Sequence, residues 1–391
     1  MVDQLATTEA CRGCGVLLNN DELQDHGLCA ACAKAGAFEA SPDVQFDSVA
    51  ANPFDLAPVP GPPVVPDPDN PTWGPPTGIS AWIFSVAAII VIPVIAVIAW
   101  YFIQSGRGAA VPNIAAKDEL LDWLKSPPLL LVQVLSTIVA HAITIAGCWV
   151  VVTMLGTRPF WASLGWHWSG HSKTGLKLML WGLAIGFGPL SIAILARLIS
   201  TRFEVIPLER LYPIAFLATA TGLAMAWRKM EPAVTTREEQ VAPLLYWLVL
   251  SASIIVTLIG VTQMLSRFLP QSEENPFTEL LKSSQQVRVA MAVLATFSAP
   301  LVEETVYRGV LFSGLRKKLG MVTTVVIVTV MFAGVHVLQY LGAWVSVAGL
   351  TLLSLALTII RAKTKSILPC VLIHTANNAF FSVLILLNRA T

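Results

Sequence analysis

Residues 288–314 read RVAMAVLATFSAPLVEETVYRGVLFSG, a run long enough to cross a bilayer and apolar throughout its length except for a knot of ionisable residues. Beyond Arg288 at its edge, the charges in it are Glu303, Glu304 and Arg308, near its middle. An ionised group at bilayer depth costs several kcal/mol unless it is paired or lines a wet cavity, so such a group marks a functional site by default. Helical spacing sets Glu304 and Arg308 four residues apart on one face, close enough to pair, and turns Glu303 about 100° away. The expectation is one neutralised carboxylate and one free one. A purely structural Glu–Arg clamp between helices suits this stretch equally well. Pro300, just before the glutamates, is expected to kink the helix and free backbone groups beside them.

Outward from this run the chain keeps the same character. It is 55% apolar and 13% charged over 391 residues, where a soluble domain carries about 25% charge. Nine apolar runs follow residue 78, at roughly 79–103, 129–155, 174–200, 211–228, 243–266, 288–314, 321–341, 343–360 and 366–388. The fourth and eighth are short. The expectation is an all-α polytopic membrane protein of 8–9 transmembrane helices in contact with membrane lipid. With the N-terminus in the cytoplasm, one set of loops holds Arg228, Lys229 and Arg237, then Arg316, Lys317 and Lys318, then Arg361, Lys363 and Lys365. The opposite set holds Asp118, Glu119, Asp122, Glu273, Glu274 and Glu279. That lysine–arginine bias supports the cytoplasmic N-terminus and an integral, inner-membrane location. No secretory leader pattern opens the chain, so insertion is expected through its own first span. A net charge of +1 and the absence of a long basic run give no reason to expect a nucleic-acid partner.

The first forty residues differ. Cys11-Arg12-Gly13-Cys14 is followed, after fourteen residues, by Cys29-Ala30-Ala31-Cys32. Each CxxC turn supplies two thiolates, and two such turns complete a tetrahedral Zn²⁺ site. Clustered cysteines in a reducing compartment favour this knuckle over two disulfides. Four cysteines close the coordination shell, so the zinc is expected to be structural or to present a surface to a protein partner. The stretch from Pro53 to Pro76 contains ten prolines and reads as an extended tether. The resulting division is a zinc-ribbon-like module at 1–40, a proline-rich linker at 41–78, N-terminal transmembrane helices at 79–240 and a second transmembrane region at 241–391 that holds the opening run.

Three later residues join the opening run: His336, four after Phe332, and the pair His374 and Asn378, one helical turn apart. At 1.5 Å per residue, Glu303, His336 and His374 lie about 16, 22 and 12 Å from the cytoplasmic ends of their helices, so convergence is geometrically open to them. Each histidine alone is more often a packed core residue. Together, two glutamates, an arginine, two histidines and an asparagine in neighbouring helices favour function. A carboxylate can take a proton from water, imidazole can orient that water or bind a metal, and a His–Asn face can donate to a developing oxyanion. Those parts suit amide hydrolysis. Neither HExxH nor GxSxG occurs. Elsewhere, His141 reads as a core histidine, and WASLGWHWSGH at 161–171 as an interfacial aromatic belt containing His167 and His171.

The successive motifs EExxxR (Glu303–Arg308), FxxxH (Phe332–His336) and HxxxN (His374–Asn378) resemble those of the CPBP family. That family comprises CAAX prenyl proteases and bacteriocin-processing or self-immunity membrane proteins, and is also called ABI. The resemblance covers about residues 245–388. It implies an all-helical intramembrane endopeptidase acting on a membrane-associated protein or peptide. By motif, Glu303 with His336 would activate water, Glu304 and Arg308 would hold the architecture, and His374 with Asn378 would form an oxyanion hole. A catalytic metal is the alternative chemistry that the same residues allow. A silent scaffold or immunity protein, and a proton-coupled transporter, are the rival functions.

Overall fold

The computed structural model describes residues 8–10, 17–19, 23–24, 28–29, 67–168, 173–185, 208–228, 243–270 and 276–387. The chain divides into two units, Met1–Pro63 and Val64–Thr391. In the first, β1 (Thr8–Ala10) pairs antiparallel with β2 (Leu17–Asn19), and β3 (Leu23–Gln24) with β4 (Leu28–Cys29). Cys29 is described there only as the backbone end of β4. Cys11, Cys14 and Cys32, and with them the zinc site, lie outside the described residues.

The second unit is helical. Its elements are α1 (Pro75–Gly106), α2 (Lys117–Leu124), α3 (Pro127–Thr153), the single turn α4 (Phe160–Ser163), α5 (173–185), α6 (Leu208–Arg228), α7 (Pro243–Leu265) and α8 (Pro276–Ser283). Then come α9 (Gln285–Arg316), α10 (Met321–Val337), α11 (Trp344–Thr364) and α12 (Leu368–Leu387). Among the described residues, α1, α3, α7, α9, α11 and α12 are the six helices long and apolar enough to cross a membrane. The protein is therefore an integral membrane protein. The short eighth run of the sequence proves to be a full-length helix, because α11 continues past residue 360 through Arg361 and Lys363 to Thr364. The seventh is shorter than its apolar run: α10 stops at Val337, ahead of a turn that closes at Gly342 with φ of 85°. The third run is described only over 173–185.

Prolines start α1 and α3 in their first turns, where a missing N–H costs nothing and the fixed φ suits the helix. In α1, Ile83, Ile90, Ile95 and Phe102 remain exposed, as a lipid-facing surface requires. The core forms two clusters. One gathers Val302, Val306, Val310 and Phe312 of α9 with Phe332 of α10, Cys148 and Val152 of α3, and Trp73. The other packs Tyr246, Trp247 and Leu250 of α7 against Leu353 and Leu357 of α11 and Cys370 and Ile373 of α12.

The end of the proline-rich stretch is seated in this core. Residues 67–74 lie across the ends of α9 and α11, with Pro68, Pro71 and Trp73 buried. The Trp73 indole N–H donates to the Val310 carbonyl at 2.9 Å, and Lys317 Nζ to that of Pro71 at 3.0 Å. At Gly314 the strap passes so close that a Cβ would meet the Gly74 carbonyl oxygen at 2.9 Å. The loop after α3 reaches the same end: Ser366 Oγ donates to the His167 carbonyl at 2.7 Å, and Ile367 N–H to that of Gly165 at 3.2 Å. Gly165 has a φ of 78° and no room for a side chain beside the Lys365 carbonyl.

Candidate active site

α9 is not a uniform helix. It runs α-helically over Gln285–Val293, widens to π-helix over Leu294–Ser298, returns over Ala299–Glu303, widens again over Glu304–Leu311 and ends α-helically over Phe312–Arg316. Such π turns are rare and concentrate at functional sites. Pro300 accounts for the first. The Ala299 N–H bonds five residues back, to Leu294 O. Continuing that pattern would pair Ala295 O with residue 300, a proline without an N–H. The stranded carbonyl is taken by Asn378 Nδ2 of α12 at 2.8 Å. The kink expected at Pro300 thus appears as a register change, capped from another helix.

The second π segment carries the charges. Glu304, Arg308 and His374 are nearly or wholly buried. Arg308 Nη1 donates to Glu304 Oε1 at 3.0 Å, and His374 Nδ1 lies 2.7 Å from the same oxygen. Glu304 Oε2 has no hydrogen-bond partner among the described residues. The rest of the Arg308 guanidinium is held by α11: Nη2 donates to Ser354 O at 3.0 Å and Ser354 Oγ at 2.8 Å, and Nε to Thr358 Oγ1 at 3.3 Å. Its carbon sits 4.8 Å from the centre of the Phe332 ring, a cation–π contact. A buried arginine with a carboxylate, two hydroxyls, a carbonyl and an aromatic face has a partner on each of its three nitrogens, which is the condition for keeping such a charge in the membrane.

Glu303 stands apart from this network. Its side chain is 19% exposed, and Oε2 lies 3.8 Å from His374 Nε2. The His374 ring thus bridges the adjacent glutamates, Nδ1 to the buried one and Nε2 towards the open one. A carboxylate accepts only, so Nδ1 carries a proton towards Glu304. His336, in the last turn of α10, holds the Phe332 carbonyl through Nδ1 at 2.8 Å, which makes Nδ1 the donor and leaves the lone pair on Nε2 in the neutral ring. Phe332 stands between the groups, its ring 4.6 Å from that of His336 and 6.1 Å from that of His374. No ion pair within 4.0 Å joins His336 to Glu303.

The structure therefore brings Glu303, Glu304, Arg308 and His374 into one connected set, with His336 across Phe332 and Asn378 on the neighbouring turn of α12. Asn378 also accepts, through Oδ1, an N–H of Asn377 at 3.2 Å. Among the described residues no three of His, Cys, Asp or Glu are grouped to hold a metal ion. Sequence reasoning missed two contributors. Ser354 and Thr358 hold Arg308, and their spacing of four on an apolar helix was the available signal. His141 of α3 is the hydrogen-bonded core histidine expected of it, buried with Nδ1 2.8 Å from Ser298 Oγ of α9.

Residues 285–380 match the family model described as type II CAAX prenyl endopeptidase Rce1-like. The match spans α9 to most of α12, about a quarter of the chain, and contains all seven motif residues. No curated protein and no solved structure matches the chain.

Proposed function

We propose that the protein is an intramembrane endopeptidase of the CAAX prenyl protease type, hydrolysing a peptide bond of a membrane-associated protein through water activated by Glu303. The observation that carries this reading is the contrast between two adjacent glutamates. Glu304 is fully buried and consumed by Arg308 and His374, while Glu303 keeps an exposed edge beside the same imidazole. A purely structural clamp needs one carboxylate; the second takes no part in the Glu304–Arg308 pair. The family-model match to a protease family supports the class of reaction.

In this scheme Glu303 takes a proton from water as its oxygen attacks the scissile carbonyl carbon. Negative charge develops on the carbonyl oxygen. The second N–H of Asn378, the one not spent on Ala295, and His374 Nε2–H are the donors offered to it. For His374 to donate there while Nδ1–H faces Glu304, the scheme requires a proton on each ring nitrogen. Collapse of the tetrahedral intermediate breaks the C–N bond, and the proton held by Glu303 passes to the leaving amine. His336, with its lone pair on Nε2, is the residue proposed to orient the water. A structural zinc on Cys11, Cys14, Cys29 and Cys32 is proposed for the N-terminal module, with a protein partner as its target.

The deciding experiment is cleavage of a panel of membrane-spanning and lipidated peptides by purified protein in vesicles. Wild type should cut at least one, and Glu303→Gln should lose cleavage about 10³-fold or more while unfolding at the same denaturant concentration. Glu303→Gln cutting at the wild-type rate sinks the mechanism. A wild type that cuts nothing, with a cellular phenotype that Glu303→Gln leaves intact, points to the scaffold instead. Zinc content should fall in Cys11→Ser with Cys14→Ser and in no other variant.

A further inference from the structure

The second register change in α9 strands a carbonyl just as the first does. Phe312 N–H bonds five residues back, to Tyr307 O, and α-helical pairing resumes from Phe312. Arg308 O, next in line, is the carbonyl passed over. Its partner is Nε of Arg361, from α11, at 3.1 Å. Arg361 is wholly buried, and every arm of its fork is used. Nη1 donates to Asp69 Oδ1 at 3.0 Å, and Nη2 to Pro68 O at 3.2 Å and Ser313 Oγ at 3.0 Å. The guanidinium carbon lies 5.1 Å from the Phe312 ring centre. One arginine therefore grips the backbone of the residue whose own side chain grips Glu304.

That arrangement has a mechanical meaning. A buried carbonyl without a donor is costly, so the wide turn survives only while something outside the helix satisfies it. If Arg308 O loses its cap, the helix recovers a bond by tightening to α-pairing, which rotates Glu304 and Arg308 relative to His374 by about one residue, or 100°. Lysine cannot replace the fork, because a single ammonium on a flexible stem does not span acceptors on α9 and on the strap together.

We propose that Arg361, with Asp69 of the strap as its counter-ion, is a positioning residue that sets the register of the π segment and so the Glu304–His374 contact. The importance of that contact for cleavage rests on the peptidase reading above, but its geometry can be measured without any substrate. The experiment uses full-length protein, labelled with ¹⁵N-histidine, in lipid vesicles; the His374 ring signals are identified by their loss in His374→Gln. Arg361→Lys and Asp69→Asn should both move the His374 Nδ1 signal, Asp69→Asn by less, since it spares three of the four Arg361 bonds. Trp73→Phe removes the strap's bond to Val310 O without touching Arg361 and should leave that signal in place. In the peptidase assay, Arg361→Lys should lower kcat roughly tenfold to a hundredfold with KM held within about twofold, as misplacement of a catalytic group does. An unmoved His374 signal in the arginine and aspartate variants overturns the proposal, and so does an equal displacement in Trp73→Phe. If Arg361→Lys fails to fold, Asp69→Asn decides. If wild type cleaves nothing, the peptidase reading falls, while the His374 signal still settles the positioning role.

Discussion

Glu304→Gln removes one charge at nearly constant volume, and the structure sets its cost. Oε1 accepts from Arg308 at 3.0 Å and faces His374 Nδ1 at 2.7 Å, with no exposure to dilute either contact. Opposite charges 3.0 Å apart attract by about 5 kcal/mol at the effective dielectric that suits proteins. A glutamine has no good orientation here. With its oxygen towards Arg308, its NH₂ occupies the Oε2 position, which has no acceptor. With its nitrogen there, donor meets donor. Breaking a buried pair from one side typically costs about 3–5 kcal/mol, and that is the expected loss. Arg308→Met alone should cost a similar amount, since it also strands Ser354 and Thr358 acceptors. The double variant should cost clearly less than the sum, with a coupling of about 2–3 kcal/mol. Denaturant unfolding in mixed micelles, followed by circular dichroism, reads all three. A coupling below about 0.5 kcal/mol, with Glu304→Gln as stable as wild type, would refute the view that this pair holds the site together.

Asn378→Ala should cost about 1–3 kcal/mol by orphaning Ala295 O; adding Pro300→Ala in that background should recover part of it, because residue 300 then has an N–H to offer, whereas Pro300→Ala alone should give no such gain. Gly314→Ala sets a Cβ 2.9 Å from a backbone oxygen of the strap, so the strap should lift and limited proteolysis near residue 70 should quicken; unchanged cleavage would contradict the packing. Burial, and then the nearby Arg361 charge, holds the His167 imidazole below its ordinary value of 6.5. The unfolded chain then binds more protons than the fold, so stability falls as pH drops towards and below that value, and His167→Gln should flatten this part of the profile. An identical slope in both proteins would count against it.

The composition was enough to show a helical membrane protein, because spans of this length and apolarity leave no other backbone solution in lipid. The Glu304–Arg308 contact followed from spacing, since residues four apart share a face in either helical register. The bridging position of His374 did not, because it depends on how α12 leans on α9. The sequence reading made Asn378 an oxyanion donor only; its hold on Ala295 O became visible once the π turn at Pro300 was known. The strap was hidden for a plainer reason. A proline-rich composition speaks against a core of its own, yet Pro68, Pro71 and Trp73 are buried in someone else's, and single-residue docking leaves no periodic trace.

That docking bears on how far the motif-bearing helices are portable. The stretch that matches the family model carries the motif residues, yet it contains only part of their supports. Trp73 fills the core beside Val310, Trp82 of α1 donates to the Tyr307 hydroxyl at 3.1 Å, and His141 of α3 holds Ser298. A graft of residues 285–380 into another membrane scaffold would carry every motif residue and arrive without the partners that hold α9 from its other side. Transplanting the chemistry means transplanting α1, α3 and the eight residues that precede Pro75 as well.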